Sequence, residues 1–399
     1  MHNVLNKPNM VDLSEFQSIS PYTDEEAVVA LGKLAEHPLL SEFSVKFFPD
    51  QSPDFLKGIL KNLKSIDEFQ VLVMSRFVEW VLEHTVTNFT YDGIANIDPQ
   101  KRFLALSNHR DIIFDPAITQ LVLFRNNIPL TEIAVGDNLV SSQTIEYLLR
   151  SNRMIKVIRG ITARELYLSS QMLSKYIRLN ITNQRSSIWL AQRQGRTKNG
   201  YDTTEQGLLK MLDMSGSSDF QKNFEELNII PMSISYEYEP CDILKARENV
   251  ISSRQKYVKA EGEDLNSILV GIQQPKGNVH LSIGEPLTSE EIAAAAQCDK
   301  NDRYQLIRHA VDRRVIEGYR LWKNNYVAFD LLYQSYKYSH LYEPADVEKF
   351  VAYMQKQLDT VEPELNREEL RTSFLEIYAN PVVTKELLEK EKETGEILL

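Results

Sequence analysis

Cysteine is nearly absent from this chain: Cys241 and Cys298 are the only two among 399 residues. They make neither a metal-ligand spacing nor a disulfide framework, so a reducing cytoplasm is the expected compartment. Long apolar runs are missing too. A bilayer-spanning helix needs about 20 apolar residues in succession, and the nearest stretch, 69–82, is interrupted by Arg76 and Glu79. It reads as a core helix, with an interfacial role as the lesser alternative. Residues Met1 to Pro8 lack the charged and apolar regions of a signal peptide. Positive charge is in deficit, and the net charge of −11 argues against nucleic acid as a partner. There is no internal repeat, proline-rich linker or low-complexity tract.

What is present is an ordinary globular composition, 43% hydrophobic and 25% charged, with enough chain to bury a sizeable core. Residues 1–95 read as a helical N-terminal region, with Thr23 as an N-cap and helical periodicity over 27–34, 53–66 and 68–84. Residues 96–290 alternate short β-branched runs with helical stretches. The strands are expected at 103–107, 132–136, 156–158, 187–191, 229–236 and 279–283. The intervening helices fall near 116–124, 141–150, 162–179 and 203–215. A polar insertion, irregular to helical, occupies 238–275. Residues 291–399 return to helix (302–324, 345–358 and 367–379, after one at 289–296), and 385–399 is expected to fray. This alternation predicts an α/β fold, a mostly parallel central sheet flanked by helices. In such sheets ligands gather at the carboxyl ends of the strands.

The charge is unevenly spread. Between Arg150 and Gly200 there are eleven Lys or Arg residues and one acid, Glu165. A solvated face would account for this, but several of these residues follow predicted strands. A surface for phosphate, an acidic carrier or anionic headgroups is the favoured reading.

Chemistry concentrates at strand ends. The segment Ser107-Asn108-His109-Arg110-Asp111-Ile112-Ile113-Phe114-Asp115-Pro116 places a histidine after a buried strand with carboxylates beyond it. An imidazole can accept a proton from an alcohol at neutral pH, and an aspartate can fix its tautomer. Downstream come Val157-Ile158-Arg159, then Gln194-Gly195-Arg196-Thr197-Lys198-Asn199-Gly200, then Ile230-Pro231-Met232-Ser233. Together they offer a base, His109, anion clamps, Arg159, Arg196 and Lys198, and a loop whose glycines allow close backbone approach.

The order of these four blocks resembles that of the glycerolipid acyltransferases, the group containing glycerol-3-phosphate and 1-acylglycerol-3-phosphate acyltransferases. The resemblance covers about residues 100–240. It implies acyl transfer from acyl carrier protein or coenzyme A to a hydroxyl of glycerol 3-phosphate or a lysophospholipid. His109 would be the base and Asp115 its partner. Arg110, Arg159, Gln194, Gly195, Arg196 and Lys198 would bind substrate. No metal or other cofactor is implied. A lipid acceptor implies a cytoplasmic protein that meets the inner face of the cell membrane peripherally. Two departures stand out. Five residues, not four, separate His109 from Asp115, and one extra residue turns a helix by about 100°. Asp115 reaches His109 only if the segment between them is not yet helical, and Asp111 is an alternative partner. Gln194 stands where the family has glutamate, and glutamine keeps hydrogen-bonding capacity without charge. The alternatives are an acyltransferase for a lyso-aminolipid, or a catalytically silent lipid- or carrier-binding homologue.

Overall fold

Leu104, Ala105 and Leu106 are fully buried, and the strand they form lies inside a sheet covered on both faces. The structure is a computed structural model and describes residues 14–159 and 162–398; Met1 to Pro8, read above for a signal peptide, lie outside the described residues. Seven strands, β1 (Val86–Asp92), β2 (Leu104–Ser107), β3 (Glu132–Gly136), β4 (Met154–Val157), β5 (Ile188–Ala191), β6 (Ile229–Tyr236) and β7 (Gly277–Ile283), form one sheet in the order β1-β7-β6-β2-β5-β3-β4. Every neighbouring pair is parallel except β6 with β7. The chain is therefore α/β, with a mostly parallel sheet flanked by helices and a helical C-terminal region.

Strand alternation sorts the core into two layers. Leu104, Leu106, Ile188, Leu190 and Ile229 face Tyr176, Ile177, Leu209 and Val311. Ala105, Trp189, Ile133 and Ile230 face Val81, Phe114, Ile118 and Val122. Fully burying each large apolar side chain contributes about 1.5–3 kcal/mol, which is why strands covered on both faces read as unbroken apolar runs. A third core lies among the C-terminal helices, where Phe350, Phe374 and Tyr378 meet Ile243, Ala246 and Val250 of the helix Asp242–Ser252.

The expected strands all form, within two residues of their predicted starts and ends. Thr23 caps the helix Asp24–Leu34 through a capping box with Glu26. Several expectations fail. β1 lies within the region 1–95 that was expected to be helical, although its Val, Thr, Phe and Tyr are strand formers. The helix Leu40–Phe47 was missed. The stretch 302–324 is not one helix: Asp302–Glu317 ends, and Lys323–Tyr333 begins after a short extended link. The expected fraying of 385–399 is wrong as far as Thr394, because Leu388 is buried in the main core and the helix Arg367–Thr394 continues past it. The apolar stretch 69–82 is helical with one π-helical turn, Gln70–Met74; it buries Phe69, Val78, Val81 and Leu82. Among the described residues no helix is long and apolar enough to cross a membrane.

Candidate active site

β2, β5, β3, β4 and β6 run parallel, so their carboxyl ends share one edge, and the four sequence blocks meet it. His109 follows β2 by two residues. The chain between His109 and Ile113 is not helical, and the helix Phe114–Arg125 starts only afterwards. That non-helical turn absorbs the extra residue in the His–Asp spacing.

Asp115, in the first turn of that helix, is the carboxylate on the imidazole. His109 Nδ1 lies 3.0 Å from Asp115 Oδ2. The same oxygen accepts the N–H groups of Arg110 at 2.6 Å and Asp111 at 2.8 Å. Asp115 Oδ1 accepts the hydroxyl of Tyr236 at 2.6 Å. Asp115 is fully buried, and this set of donors together with the positive end of the helix suits an ionised carboxylate. An acceptor of this kind makes Nδ1 the protonated nitrogen of the neutral ring. Nε2 then carries the lone pair, and it makes no hydrogen bond among the described residues. The His109 side chain is 14% exposed, with the edge of Trp189 packed at 5.9 Å. Burial, followed by the Asp115 charge, pushes the Tyr236 hydroxyl well above its ordinary pKa, so it stays a donor.

Asp111 has a different task. Its Oδ1 accepts the N–H groups of Ile113 at 2.9 Å and Phe114 at 2.7 Å, which start the helix. Its Oδ2 lies against Gly271 of the helix Glu263–Gln273, where a Cβ would come within 2.4 Å of it. Lys276 is fully buried nearby and donates to Thr85 Oγ1 at 3.2 Å. Burial lowers its pKa to about 8, against the opposing pull of Asp111.

Arg110 was expected to bind substrate. It is 4% exposed, and its guanidinium donates to Asp202 at 2.6 and 3.1 Å, to Glu239 at 3.4 Å and to Gly200 O at 3.4 Å. Burial alone would lower its pKa, but the two carboxylates raise it well above the ordinary value. Arg110 is thus a buried strut. Lys198 is ion-paired with Glu248. Gln194 and Gly195 are exposed on the loop after β5, and Gly195 takes φ +75°, a left-handed conformation that suits glycine. Arg196 has a buried Nη1, and Arg193 a buried Nε, without protein partners among the described residues. Arg159 is exposed after β4, and its guanidinium lies against Gly136 at the end of β3.

The basic segment is not a continuous anion surface. Arg150 holds Ser20 O and Gln17 O, Arg178 holds Leu212 O and Asn223 O, and Arg153 is bound to Asp67 and Gln70. Lys156 and Lys175 pair with Glu146 and Glu15.

The sequence reading missed Tyr236 and Asp202. Tyr236 could have been found: it is the last residue of a correctly placed strand whose carboxyl end faces His109. Asp202 carried no local signal beyond following the glycine-bearing loop. Among the described residues no group of three His, Cys, Asp or Glu side chains is arranged to hold a metal ion.

No protein-family model and no curated protein matches the chain. Among solved structures, similarity is found to the crystal structure of the 1-acyl-sn-glycerophosphate acyltransferase from Thermotoga maritima. The identity is 12% and the TM-score 0.39, over 75% of this chain and 98% of that chain.

Proposed function

We propose that the chain is an acyltransferase that moves an acyl group from a thioester, on acyl carrier protein or coenzyme A, to a hydroxyl of glycerol 3-phosphate or a lysophospholipid. The observation that carries this reading is the imidazole of His109, with Nδ1–H directed to a buried carboxylate and Nε2 left without a partner among the described residues at the carboxyl edge of the sheet. The sequence blocks around it support the choice of reaction.

In this reading Nε2 takes the proton from the acceptor hydroxyl as its oxygen forms a bond to the thioester carbonyl carbon. The carbonyl oxygen becomes an oxyanion, for which backbone N–H groups around Gly195 are the candidate donors. Collapse of the tetrahedral intermediate breaks the C–S bond, and the departing thiolate takes the proton back from His109. The products are an ester and a free thiol, so the step balances without a metal or redox cofactor. Asp115 stabilises the imidazolium while it lasts. Arg159 and Arg196 are the candidate groups for the acceptor's anionic end. Lys198 would join them only by giving up Glu248. Membrane contact would be peripheral, on the cytoplasmic face, and the exposed Leu39, Phe43, Val71 and Leu72 of the N-terminal helices are its candidate surface.

The test is turnover by purified protein with acyl carrier protein or coenzyme A thioesters, offered glycerol 3-phosphate, lysophosphatidate and an N-acyl amino acid carrying a free hydroxyl. Ester and free thiol should appear in equal amounts, and His109→Ala should abolish both. Product at the wild-type rate from His109→Ala would sink the mechanism, and the acceptor that reacts selects between phosphate and carboxylate headgroups. A second reading, a silent carrier- or lipid-binding chain, is favoured by Gln194 and by the burial of Arg110. Binding of acyl carrier protein without turnover on any acceptor would select it.

A further inference from the structure

We infer that Asp202 is a positioning residue for His109, tying the histidine's loop to the glycine-bearing loop and to the C-terminal region. Only the kinetic arm of its test rests on the acyl-transfer reading.

Asp202 is 2% exposed and stands two residues after Gly200. Its Oδ2 accepts from Asn108 Nδ2 at 2.9 Å, from Arg110 Nη2 at 2.6 Å and Nε at 3.1 Å, and from the Tyr319 hydroxyl at 2.6 Å. Its Oδ1 accepts from Thr197 Oγ1 at 2.6 Å. Asn108 and Arg110 are the two chain neighbours of His109. Thr197 donates its own N–H to His109 O at 2.8 Å. Lys245, 1% exposed, holds Arg110 O at 2.7 Å and pairs with Glu239 at 2.6 Å. Asn108, His109 and Arg110 are therefore held by this one carboxylate, directly or through Thr197. Burial would raise its pKa, yet Arg110 and the hydroxyl and amide donors bring it below the ordinary value, so it is charged as the network requires.

Asp202 hydrogen-bonds to neither ring nitrogen of His109, so it acts only by fixing where the ring stands. Reacting groups held within a fraction of an ångström lose about 10²-fold in rate when misplaced by 1 Å. The neighbouring carboxylates divide the labour: Asp115 sets the tautomer of the ring, and Asp202 sets the backbone from which it projects.

The experiment compares Asp202→Asn with the double variant Asp202→Asn/Arg110→Gln, which also removes the buried cation that the first change leaves with Glu239, at 3.4 Å, as its remaining carboxylate. Four quantities are read: melting temperature, kcat, KM, and the rate at which diethyl pyrocarbonate modifies His109, followed by peptide mass spectrometry. The last is independent of turnover. Asp202→Asn should lower kcat about 10²-fold with KM held, and should alter the His109 modification rate. The double variant should regain melting temperature but not kcat. Recovery of kcat together with melting temperature, or a raised KM at unchanged kcat, would overturn the inference by reducing Asp202 to charge balance. If Asp202→Asn does not fold, Tyr319→Phe removes one donor without unpairing a charge. It should move kcat and the modification rate the same way by less, and no change in either would overturn the inference. If the wild type turns over no acceptor, the acyl-transfer reading fails on its own. The modification rates then decide: altered in the variants they support the role of Asp202, and unchanged they refute it.

Discussion

Each carboxylate around His109 is held by a different set of donors, and those donors give it its role. Asp115 accepts the imidazole, two backbone N–H groups and a buried phenol. Asparagine there would offer a single acceptor oxygen and turn an N–H toward the same donors. Asp115→Asn should therefore lower turnover about 10²–10⁴-fold, the usual contribution of a general base, because His109 would lose the tautomer that lets it act as one; the helical circular-dichroism spectrum should be retained. Turnover near wild type would show that the pair is structural. The composition of the segment did not decide between Asp111 and Asp115, because both follow His109 within one short turn. What decides it is the Asx turn of Asp111 onto Ile113 and Phe114, a local bond that takes this carboxylate away from the ring. Gly271 gives a way to disturb that bond alone. A Cβ there would meet Asp111 Oδ2 at 2.4 Å, and a carboxylate that turns or shifts away loosens Oδ1 from the two N–H groups it holds. Gly271→Ala should destabilise the fold by about 1–3 kcal/mol, as overpacking does, measured as a lower urea midpoint. An unchanged midpoint would mean that the helix Glu263–Gln273 moves aside freely.

Elements meet the site through one proline. Pro381 lies inside the helix Arg367–Thr394, and because proline has no N–H, the carbonyl four residues earlier, that of Ile377, loses its helical donor. Gly200 sits against that carbonyl: a Cβ on Gly200 would come within 2.5 Å of Ile377 O. Asn380 Nδ2 donates to Asn199 O at 2.7 Å beside it. The proline that interrupts the helix thus marks where the glycine-bearing loop docks. Gly200 has φ +81°, and a left-handed backbone costs a residue with a side chain about 1–2 kcal/mol before any clash. Gly200→Ala should lower the melting temperature and reduce turnover together, since the backbone oxygen cannot yield as a flexible side chain would. Thermal melting and initial rates measure the two, and a normal rate with a lowered melting temperature would uncouple the docking from the site. Most strands were legible because burial on both faces leaves short, mostly apolar runs, as in β2 and β5. β1 was not, because its burial is partial and Asn88 breaks its apolar pattern. The break after Glu317 has a local mark in Gly318, which caps the helix, but Tyr319 to Trp322 beyond it suit a helix, and Tyr319 is drawn to Asp202 by a contact more than a hundred positions away.

At the scale of the whole molecule, buried acids couple the sheet, the insertion and the C-terminal helices to pH. Glu132 on β3 is hydrogen-bonded by the Tyr176 hydroxyl at 2.7 Å, and Asp242 in the insertion by Tyr378 at 2.6 Å and Tyr353 at 2.7 Å. Asp312 in the helix Asp302–Glu317 holds the N–H of Thr204 at 2.8 Å and its hydroxyl at 2.5 Å. Burial outweighs these bonds in every case, raising Glu132 and Asp242 to about 6 and Asp312 from 3.8 to about 7. A raised carboxyl binds its proton more tightly in the folded chain than in the unfolded one. Its contribution to stability is therefore fully present below the unfolded value near 4 and is lost as pH rises through 6 to 7. Asp202, lowered by its partners, acts in the opposite sense, and only on acidification below the ordinary aspartate range. Lys276, lowered from 10.5 to about 8, adds stability as pH climbs from 8 toward 10.5. The largest of these losses belongs to Asp312, whose carboxyl is raised furthest of the three. Asparagine keeps an oxygen for the two donors of Thr204 but cannot ionise. Chemical denaturation of the wild type at pH 5 and pH 7.5 should show less stability at the higher pH. Asp312→Asn should narrow that difference, chiefly by losing less between the two. An equal loss in the variant would mean that Asp312 is not the group that titrates. A wild type no less stable at pH 7.5 would mean that the buried carboxyls ionise at their ordinary values, with water reaching them through motions of the C-terminal helices.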